Sequence, residues 1–339
     1  MFSLIRSILF LMLPERAHYA TMHLLSVLCA FGPSRWLLQK IWPPVNDPLE
    51  LAGIRFRNRV GLAAGFDKDA RFMQVFATLG FGHMEIGTVT PKAQPGNDKP
   101  RLFRLPADKA LINRLGFNNK GVDYAVEMLK NRPKGLVIGG NIGKNKLTPN
   151  EEAVSDYLIC FRKLFDYVDY FAINVSSPNT PNLRALQDKE PLMALLHAIQ
   201  AENKLQKAPK PVFLKIAPDL TEGQLDDIVD IVLQTGISGL VASNTTISRE
   251  GLHTDAGRVD AIGAGGLSGA PLQERANALM QSLQQRAGGQ FPIIGVGGIM
   301  QAEDAAARFK SGASLVQLYT GFVYAGPALV RAAALAGKS

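Results

Sequence analysis

Short apolar segments alternate with longer amphipathic segments from residue 51 to the end of the chain. The apolar segments are rich in β-branched residues, as expected for strands buried on both faces of a parallel sheet. The longer segments carry apolar residues at helical spacing. Strands are therefore predicted at residues 60–65, 84–89, 137–142, 170–175, 212–217, 240–244, 292–297 and 315–319. Helices are predicted between them, among others at residues 70–79, 122–129, 191–205, 225–233 and 302–309.

Eight strand-helix units in succession are typical of an α/β protein of the (β/α)₈ TIM-barrel type. A doubly wound open sheet is the alternative, but it normally has a Rossmann fingerprint after its first strand, and residues 61–65 do not match one. Residues 90–121, rich in Pro, Gly and Asn, are expected to pass over the barrel mouth. The predicted organisation is a helical extension at 1–32, a linker at 33–50 and the barrel at 51–339.

The N-terminal extension reads as two short helices with apolar faces. Residues 2–13 are strongly apolar but too short to cross about 30 Å of hydrocarbon. A second helix is predicted from Pro14 until Gly32 and Pro33 end it. Such a pair is expected to lie in a membrane surface; a signal peptide, or a pair packed on the barrel without membrane contact, are the alternatives. Residues 33–50 contain four prolines and are predicted to be extended.

Charge and cysteine usage narrow the range of partners. A net charge of +8 and a pI near 9.4 favour an anionic partner, such as a phosphorylated cofactor, an acidic substrate or anionic lipid. Nucleic acid is disfavoured, because the basic residues are spread along the chain without an aromatic-basic motif. The two cysteines, Cys29 and Cys160, are far apart and the histidines are scattered, so neither a disulfide nor a metal site is predicted.

Polar residues are concentrated at the ends of the predicted strands, where barrels hold their active groups. Two lysines, Lys68 and Lys215, are expected at this mouth, and either could form a Schiff base in an aldolase-like enzyme. The fourth strand leads into a polar loop in which Pro178 and Pro181 end the ladder. Glycines after strands seven and eight suit a phosphate group. The other residues expected at the mouth are Ala64, Gly65, Asp67, Thr88, Asn141, Lys144, Asn174, Ser176, Ser177, Asn179, Thr180, Asn182, Ser243, Asn244, Thr245, Gly295, Gly297, Gly298, Tyr319 and Thr320.

Nearly the whole chain resembles dihydroorotate dehydrogenases of the membrane-associated, quinone-linked class (class 2). The matching segments are GLAAGFDK at 61–68, EIGTVTP at 85–91, PGNDKPRLFR at 95–104, NRLGFNN at 113–119, NIGKN at 141–145, NVSSPNT at 174–180, KIAPD at 215–219, GLSG at 266–269 and GVGGI at 295–299. The departures are Phe66 for Leu, Ser243 for Thr, Asn182 for Gly, and a loop at 254–264 that looks extended. Ser243 keeps its hydroxyl, so only fine geometry differs there.

The resemblance implies FMN on top of the barrel and oxidation of dihydroorotate to orotate in de novo pyrimidine synthesis, with a membrane quinone as the final acceptor. It implies Ser177 as the catalytic base, with Thr180 and a water beside Phe117 as proton relays. Substrate contacts are implied for Lys68, Asn113, Arg114, Leu115, Gly116, Phe117, Asn174, Asn179, Asn244 and Thr245. Cofactor contacts are implied for Ala64, Gly65, Lys68, Thr88, Asn141, Asn174, Lys215, Ser243, Gly269, Gly298, Tyr319 and Thr320.

The same resemblance gives the N-terminal helices a role as the walls of a quinone tunnel, with His18, Arg104 and Tyr319 at its polar end. A monomeric, peripheral protein on the cytoplasmic face of a bacterial inner membrane, in contact with anionic lipid, is expected. A phosphate-binding aldolase or isomerase and a non-enzymatic membrane scaffold are the competing hypotheses.

Overall fold

Thirteen strands and thirteen α-helices follow the alternation of the sequence in the computed structural model, which describes residues 2–180 and 183–338. The strands are β1 Leu49–Leu51, β2 Ile54–Phe56, β3 Val60–Leu62, β4 His83–Val89, β5 Leu102–Leu105, β6 Ala110–Asn113, β7 Val137–Ile142, β8 Tyr170–Asn174, β9 Val212–Ile216, β10 Gly239–Ala242, β11 Gly266–Gly269, β12 Ile293–Val296 and β13 Leu315–Leu318. The helices are α1 Phe2–Phe10, α2 Pro14–Ala30, α3 Gly32–Ile41, α4 Met73–Thr78, α5 Val122–Leu129, α6 Ala153–Leu164, α7 Lys189–Lys204, α8 Glu222–Thr235, α9 Ala256–Ile262, α10 Gln273–Ala287, α11 Ala302–Lys310, α12 Thr320–Ala325 and α13 Pro327–Ala336.

Eight parallel strands close into a barrel in the order β3-β4-β7-β8-β9-β10-β12-β13, and β13 pairs back onto β3. All eight predicted strands are present, so the barrel prediction is confirmed and the open-sheet alternative is wrong. The first barrel strand, β3, is shorter than predicted and ends at Leu62, and Gly65, with φ of +95°, lies in the turn that follows it. The helix predicted at 225–233 is α8, which begins with a capping box between Thr221 and Gln224 and ends at Gly236, whose φ is +66°.

The interior of the barrel is filled at the end opposite the mouth. Tyr170 and Phe213 are both buried, with ring centroids 5.5 Å apart. The hairpin β1-β2 closes this end, and the rings of Phe56 in β2 and His83 are nearly perpendicular, with centroids 5.4 Å apart. A second apolar layer lies between the strands and the outer helices. The mouth therefore remains as the open end of the barrel.

The N-terminal extension contains the two predicted helices, α1 and α2, and one that was not predicted. Residues 33–50 were expected to be extended, but α3 occupies Gly32–Ile41, so that expectation is wrong for its first half. Pro33 lies in the first turn of α3, where no backbone N–H is required, and it therefore starts a helix instead of interrupting one. No helix in the described ranges is both long and apolar enough to cross a membrane.

Residues 90–121 form an ordered layer beside the mouth. Strands β5 and β6 form a hairpin, and β11 adds to it in an antiparallel sheet of order β11-β6-β5. The loop at 254–264, which departs from the family pattern in looking longer, contains α9. Asp108 receives hydrogen bonds from the backbone N–H groups of His253 at 2.6 Å and Thr254 at 3.1 Å. The segment at residues 90–121 was predicted to pass over the mouth, but its strands β5 and β6 were not predicted.

Candidate active site

A cleft at the C-terminal ends of the barrel strands brings most of the predicted residues together. It holds about 960 Å³, counted with its opening to solvent. The predicted residues that line it are Ala64, Gly65, Lys68, Thr88, Asn113, Leu115, Gly116, Phe117, Asn174, Ser177, Asn179, Lys215, Ser243, Asn244, Thr245, Gly269, Gly297, Gly298, Tyr319 and Thr320. Seven of the eight barrel strands, all except β7, contribute residues at or just after their C-terminal ends to this one concave surface.

The floor of the cleft carries a continuous series of side-chain hydrogen bonds. The Thr88 hydroxyl donates to Asn141 Oδ1 at 2.6 Å and accepts from Asn174 Nδ2 at 2.8 Å. The Ser176 hydroxyl donates to Asn174 Oδ1 at 3.1 Å and accepts from Asn244 Nδ2 at 3.0 Å. Asn141 itself lies behind Thr88, fully buried. These bonds hold the amides of neighbouring strands in one arrangement.

Glu85 anchors this series and was not singled out by the sequence analysis. Its carboxylate accepts hydrogen bonds from Asn141 Nδ2 at 3.1 Å, Gln317 Nε2 at 2.6 Å and the Tyr170 hydroxyl at 3.3 Å, and Lys215 Nζ lies 3.6 Å away. The side chains of Glu85 and Lys215 are 0% and 5% exposed. The sequence did contain a signal for Glu85: it is a carboxylate within a strand predicted to be buried, and a buried charge requires partners.

Ser177 lies on the cleft wall and is almost fully buried. Its hydroxyl oxygen accepts the backbone N–H of Asn179 at 3.2 Å, which orients the side chain without a base beside it. Thr180 is buried behind the wall, and its hydroxyl has no hydrogen-bond partner within the described residues. Pro181 and Asn182, predicted to end the strand and to depart from the family pattern, lie outside the described residues.

Phe117 lines the cleft in the left-handed backbone region, with φ of +52°. Its carbonyl oxygen accepts hydrogen bonds from Gln94 Nε2 at 3.1 Å and Asn119 Nδ2 at 2.7 Å. Bulky residues rarely adopt this conformation, and here two side-chain amides maintain it. The ring is therefore held in the wall by the segment that passes over the mouth.

Two lysines give the cleft its positive charge. Lys68 Nζ donates to the carbonyl oxygen of Gly65 at 3.0 Å. Burial lowers the pKa of Lys68 to about 8, and the nearby carboxylate of Glu15 opposes that effect. Lys215 is paired with Glu85 on the opposite side of the floor. A ligand with a carboxylate or another anionic group therefore meets a cation at either side of the cleft.

The glycine-rich end of the cleft is packed closely against the backbone. Gly298 has φ of +72°, and a Cβ there would lie 2.3 Å from the Cα atom of Gln273. Gly269 has φ of +106°, and a Cβ there would lie 2.4 Å from the carbonyl oxygen of Lys109. The hydroxyls of Ser268 and Thr320 are 2.8 Å apart beside them. Small residues here leave space and backbone N–H groups for a phosphate.

Arg114, which the resemblance implies as a substrate contact, does not line the cleft. Its guanidinium donates to the carbonyl oxygens of Ile262 and Ala264 and lies 4.7 Å from the centroid of the Phe103 ring. The segment around α9 supplies these acceptors, so the side chain points away from the mouth. The sequence motif identifies Arg114 but does not indicate the direction in which its side chain points.

A second, mainly apolar cavity lies between the N-terminal helices and the barrel. It holds about 1590 Å³, counted with its opening, and shares Gly65, Lys68, Leu115 and Tyr319 with the first cleft. His18 and Arg104 line it as predicted, and the His18 ring centroid is 4.9 Å from that of Phe66. Its apolar lining includes Ile5, Leu9 and Leu25 from the N-terminal helices.

The polar groups of this second cavity differ in charge. Burial lowers the pKa of His18 to about 4, and the charge of Lys68 acts in the same direction. Arg104 donates to the carbonyl oxygens of Phe10 at 3.3 Å and Met12 at 2.7 Å. The cavity thus presents a neutral imidazole and an arginine that holds the end of α1.

Fold and site together define a barrel enzyme with a basic, amide-lined cleft for a polar ligand and an adjoining cavity for an apolar one. The family model described as dihydroorotate dehydrogenase matches residues 48–334. The chain is 56% identical to dihydroorotate dehydrogenase (quinone) of Christiangramia forsetii, over 97% of this chain and 96% of that protein. It is 47% identical to the protein of the same name in Cellvibrio japonicus, over 98% and 97% of the two chains.

Solved structures agree with this. The crystal structure of Eimeria tenella DHODH in complex with ferulenol superposes with a TM-score of 0.82 at 37% identity, covering 94% of this chain and 89% of that chain. The chain therefore belongs to the dihydroorotate dehydrogenase family, in its quinone-dependent class. This family is flavin-dependent. The resemblance stated from the motifs is confirmed, and the aldolase, isomerase and scaffold hypotheses are set aside.

Proposed function

We propose that the flavin of this enzyme is FMN, that it occupies the cleft at the barrel mouth, and that the second cavity is the route by which quinone reaches it. The reaction follows from family membership: dihydroorotate is oxidised to orotate in pyrimidine biosynthesis, with quinone as acceptor. The observation that carries the proposal is the wall shared by the two cavities, at Gly65, Lys68, Leu115 and Tyr319.

The residues of the cleft suit FMN. The close-packed glycines Gly269 and Gly298, with the hydroxyl of Thr320, would hold the phosphate. Thr88, Asn141 and Ser243 would hydrogen-bond the ring or the ribityl chain, and Lys215 would lie at the pyrimidine side. The remaining cofactor contacts would come from Ala64, Gly65, Lys68, Asn174 and Tyr319. When bound, FMN accepts a hydride from dihydroorotate and supplies electrons to the quinone.

The amide side of the cleft would bind the substrate. Asn179 Nδ2 donates to Asn113 Oδ1 at 3.2 Å, so these two side chains act as one unit. Lys68 would meet the carboxylate of the substrate. Asn174, Asn244 and Thr245 would hold its polar edges, with Leu115, Gly116 and Phe117 along the ring. Fixed donors of this kind stabilise the charge that develops on a carbonyl oxygen.

Ser177 is the proposed catalytic base. A serine hydroxyl is a weak base unless its own proton can be passed on, so it requires an acceptor nearby. Thr180 supports this assignment, because its buried hydroxyl is unpartnered within the described residues and can take part in a relay. Phe117 would shield the relay water from bulk solvent.

The proposed quinone route runs through the second cavity. Ile5, Leu9 and Leu25 give it apolar walls, which suit a lipid-soluble ring and its tail. His18, Arg104 and Tyr319 would form its polar end. The Phe66 ring lies between them, with centroids 4.9 Å from His18 and 5.2 Å from Tyr319.

The outer surface of the helices supports a peripheral attachment to membrane. Leu4, Leu11 and Phe31 are 69%, 88% and 64% exposed, although large apolar side chains are usually buried. With the net positive charge of the chain, this surface suits anionic lipid. We place the protein, as a monomer, on the cytoplasmic face of a bacterial inner membrane.

Anaerobic mixing tests the proposal directly. Purified protein should be yellow, should release FMN on denaturation, and should lose its absorption band in the blue when dihydroorotate is added. A long-chain quinone in liposomes should then restore the band. NAD and fumarate serve as control acceptors and should not restore it at a comparable rate. Colourless protein that binds no added FMN would refute the cofactor assignment.

A further inference from the structure

Glu85 lies fully buried in the barrel interior, beneath the proposed flavin site. Its carboxylate has two kinds of neighbour: three uncharged donors and the ammonium group of Lys215, with Oε2 and Nζ 3.6 Å apart. Both charged side chains are buried, and water therefore screens them little. The negative charge of Glu85 therefore offsets part of the positive charge that Lys215 presents to the cleft.

The contacts of Glu85 also determine how its neighbours present their hydrogen bonds. A carboxylate can only accept, so Asn141 must turn its Nδ2 group towards Glu85 and its Oδ1 atom towards Thr88. The hydroxyl proton of Thr88 is used in that bond, and Thr88 accepts from Asn174. At the Asn174 end of this series, the backbone N–H of Ser176 donates to Asn174 Oδ1 at 3.2 Å. This bond turns the Nδ2 group of Asn174 towards Thr88, which is the orientation that Thr88 requires as an acceptor.

We propose that Glu85 is a positioning residue that sets the reduction potential of the bound flavin, by offsetting the charge of Lys215 and by holding Asn141 and Thr88 in one hydrogen-bond direction. A full positive charge beside the pyrimidine side would stabilise an anionic reduced ring and favour the first half-reaction at the expense of the second. The carboxylate reduces that bias. This inference rests on the proposed placement of FMN in the cleft.

The test is the flavin reduction potential of Glu85→Gln, measured by dye equilibration without substrate or quinone. The variant keeps the size of the side chain and removes its charge. The ratio of reduced to oxidised flavin at a given potential should rise by about tenfold, which is a shift of about 30 mV to more positive values for a two-electron couple. Reoxidation by quinone should slow, while reduction by dihydroorotate should not.

Tyr170→Phe is the matched control. It removes one hydrogen bond to the same carboxylate but no charge, and its potential should stay near that of the wild type. Should Glu85→Gln fail to fold, Glu85→Asp keeps the charge and withdraws it from Lys215 by one methylene, so a smaller rise in the same direction is expected. An unchanged or more negative potential in the variant that folds overturns the inference.

The outcomes also separate this inference from the proposal on which it rests. Wild-type protein that carries no flavin and binds none would refute the placement of FMN. Wild-type protein with bound FMN, together with a Glu85→Gln potential equal to its own, would refute only the role of Glu85. Equal shifts in Glu85→Gln and Tyr170→Phe would show that packing, not charge, was responsible, and would overturn the inference as well.

Discussion

Arg101 and Glu15 form a two-point ion pair that joins α2 to the segment leading into β5. Arg101 Nη2 lies 2.7 Å from Glu15 Oε1, and Arg101 Nε lies 3.2 Å from Oε2. Arg101 also donates to the carbonyl oxygens of Pro95 at 2.5 Å and Asn97 at 3.0 Å. The nearly buried guanidinium of Arg101 thereby attaches α2 to the layer beside the mouth.

Glu15→Gln is therefore expected to loosen the N-terminal helices, at a cost of about 1.5–3 kcal/mol for hydrogen bonds to a charged group. Proteolysis between residues 42 and 48 should become faster, and quinone turnover should fall while flavin reduction is unchanged. Limited proteolysis and the two half-reactions measure this. Glu127→Gln, which breaks the exposed pair with Lys130, is the control and should have little effect. Equal proteolysis of both variants would contradict the prediction.

Ser177→Ala should slow flavin reduction by dihydroorotate by at least about a hundredfold, which is the usual contribution of a general base. FMN content, orotate affinity and reoxidation by quinone should be nearly unchanged, because the hydroxyl accepts one backbone hydrogen bond and supports no other described contact. Stopped-flow absorbance is the measurement. Ser155→Ala, on an exposed part of α6, is the control. A reduction rate close to that of the wild type would remove Ser177 from its role.

Orotate affinity should fall as the pH rises above about 8, because burial lowers the pKa of Lys68 to about 8 and its charge is lost beyond that point. Well above the pKa, the affinity should decline by up to about tenfold per pH unit. Titration of the flavin spectrum with orotate between pH 6 and 10 gives the profile. Lys68→Arg should move the decline above pH 10, since arginine stays protonated there. An affinity independent of pH in the wild type would argue against contact between Lys68 and the carboxylate.

Leu11→Glu should weaken binding to anionic liposomes by roughly tenfold or more, because burial of a leucine side chain contributes about 1.5–3 kcal/mol. Leu11 is 88% exposed at the end of α1, and Leu147, in the loop after β7, is 93% exposed. Leu147→Glu is therefore a control of equal exposure and charge and should sediment with liposomes as the wild type does. Leu9→Glu lies inside the cavity and should instead impair quinone turnover. Equal losses for Leu11→Glu and Leu147→Glu would point to general charge, not to a membrane-binding face.

His83 should make the fold sensitive to acid. It is fully buried, neither ring nitrogen has a partner within the described residues, and burial lowers its pKa from 6.5 to about 3. Between these two values the unfolded chain binds a proton that the folded chain does not, so the free energy of unfolding falls as the pH decreases, by up to about 1.4 kcal/mol per unit.

Urea unfolding at pH 5.0 and 7.5 measures this effect. The difference between the two pH values should be smaller in His83→Phe than in the wild type. Any packing cost of the larger ring cancels in that difference. An identical pH dependence in both proteins would show that other groups are responsible.

Local pattern was sufficient for the barrel and for much of the site. A strand buried on both faces needs a continuous apolar segment, and eight such segments separated by amphipathic helices leave few topologies. Once the barrel is assumed, residues such as Ser177, Lys215 and Asn244 must converge, because parallel strands end at the same mouth. The resemblance of the motifs to a known family added residue roles that the spacing of the residues alone does not indicate.

Patterns along the chain were therefore enough to predict the barrel strands in order, the end of the barrel that carries the polar residues and the apolar character of the first two helices. Tertiary structure decided the rest. Pro33 lies in the first turn of α3, within a segment whose prolines indicated an extended linker, and Arg114 donates to a carbonyl oxygen 148 residues away. Glu85 gains its significance from Lys215, Asn141 and Gln317, which come from three other strands. Contacts between positions distant in the chain depend on packing, and no local pattern records them.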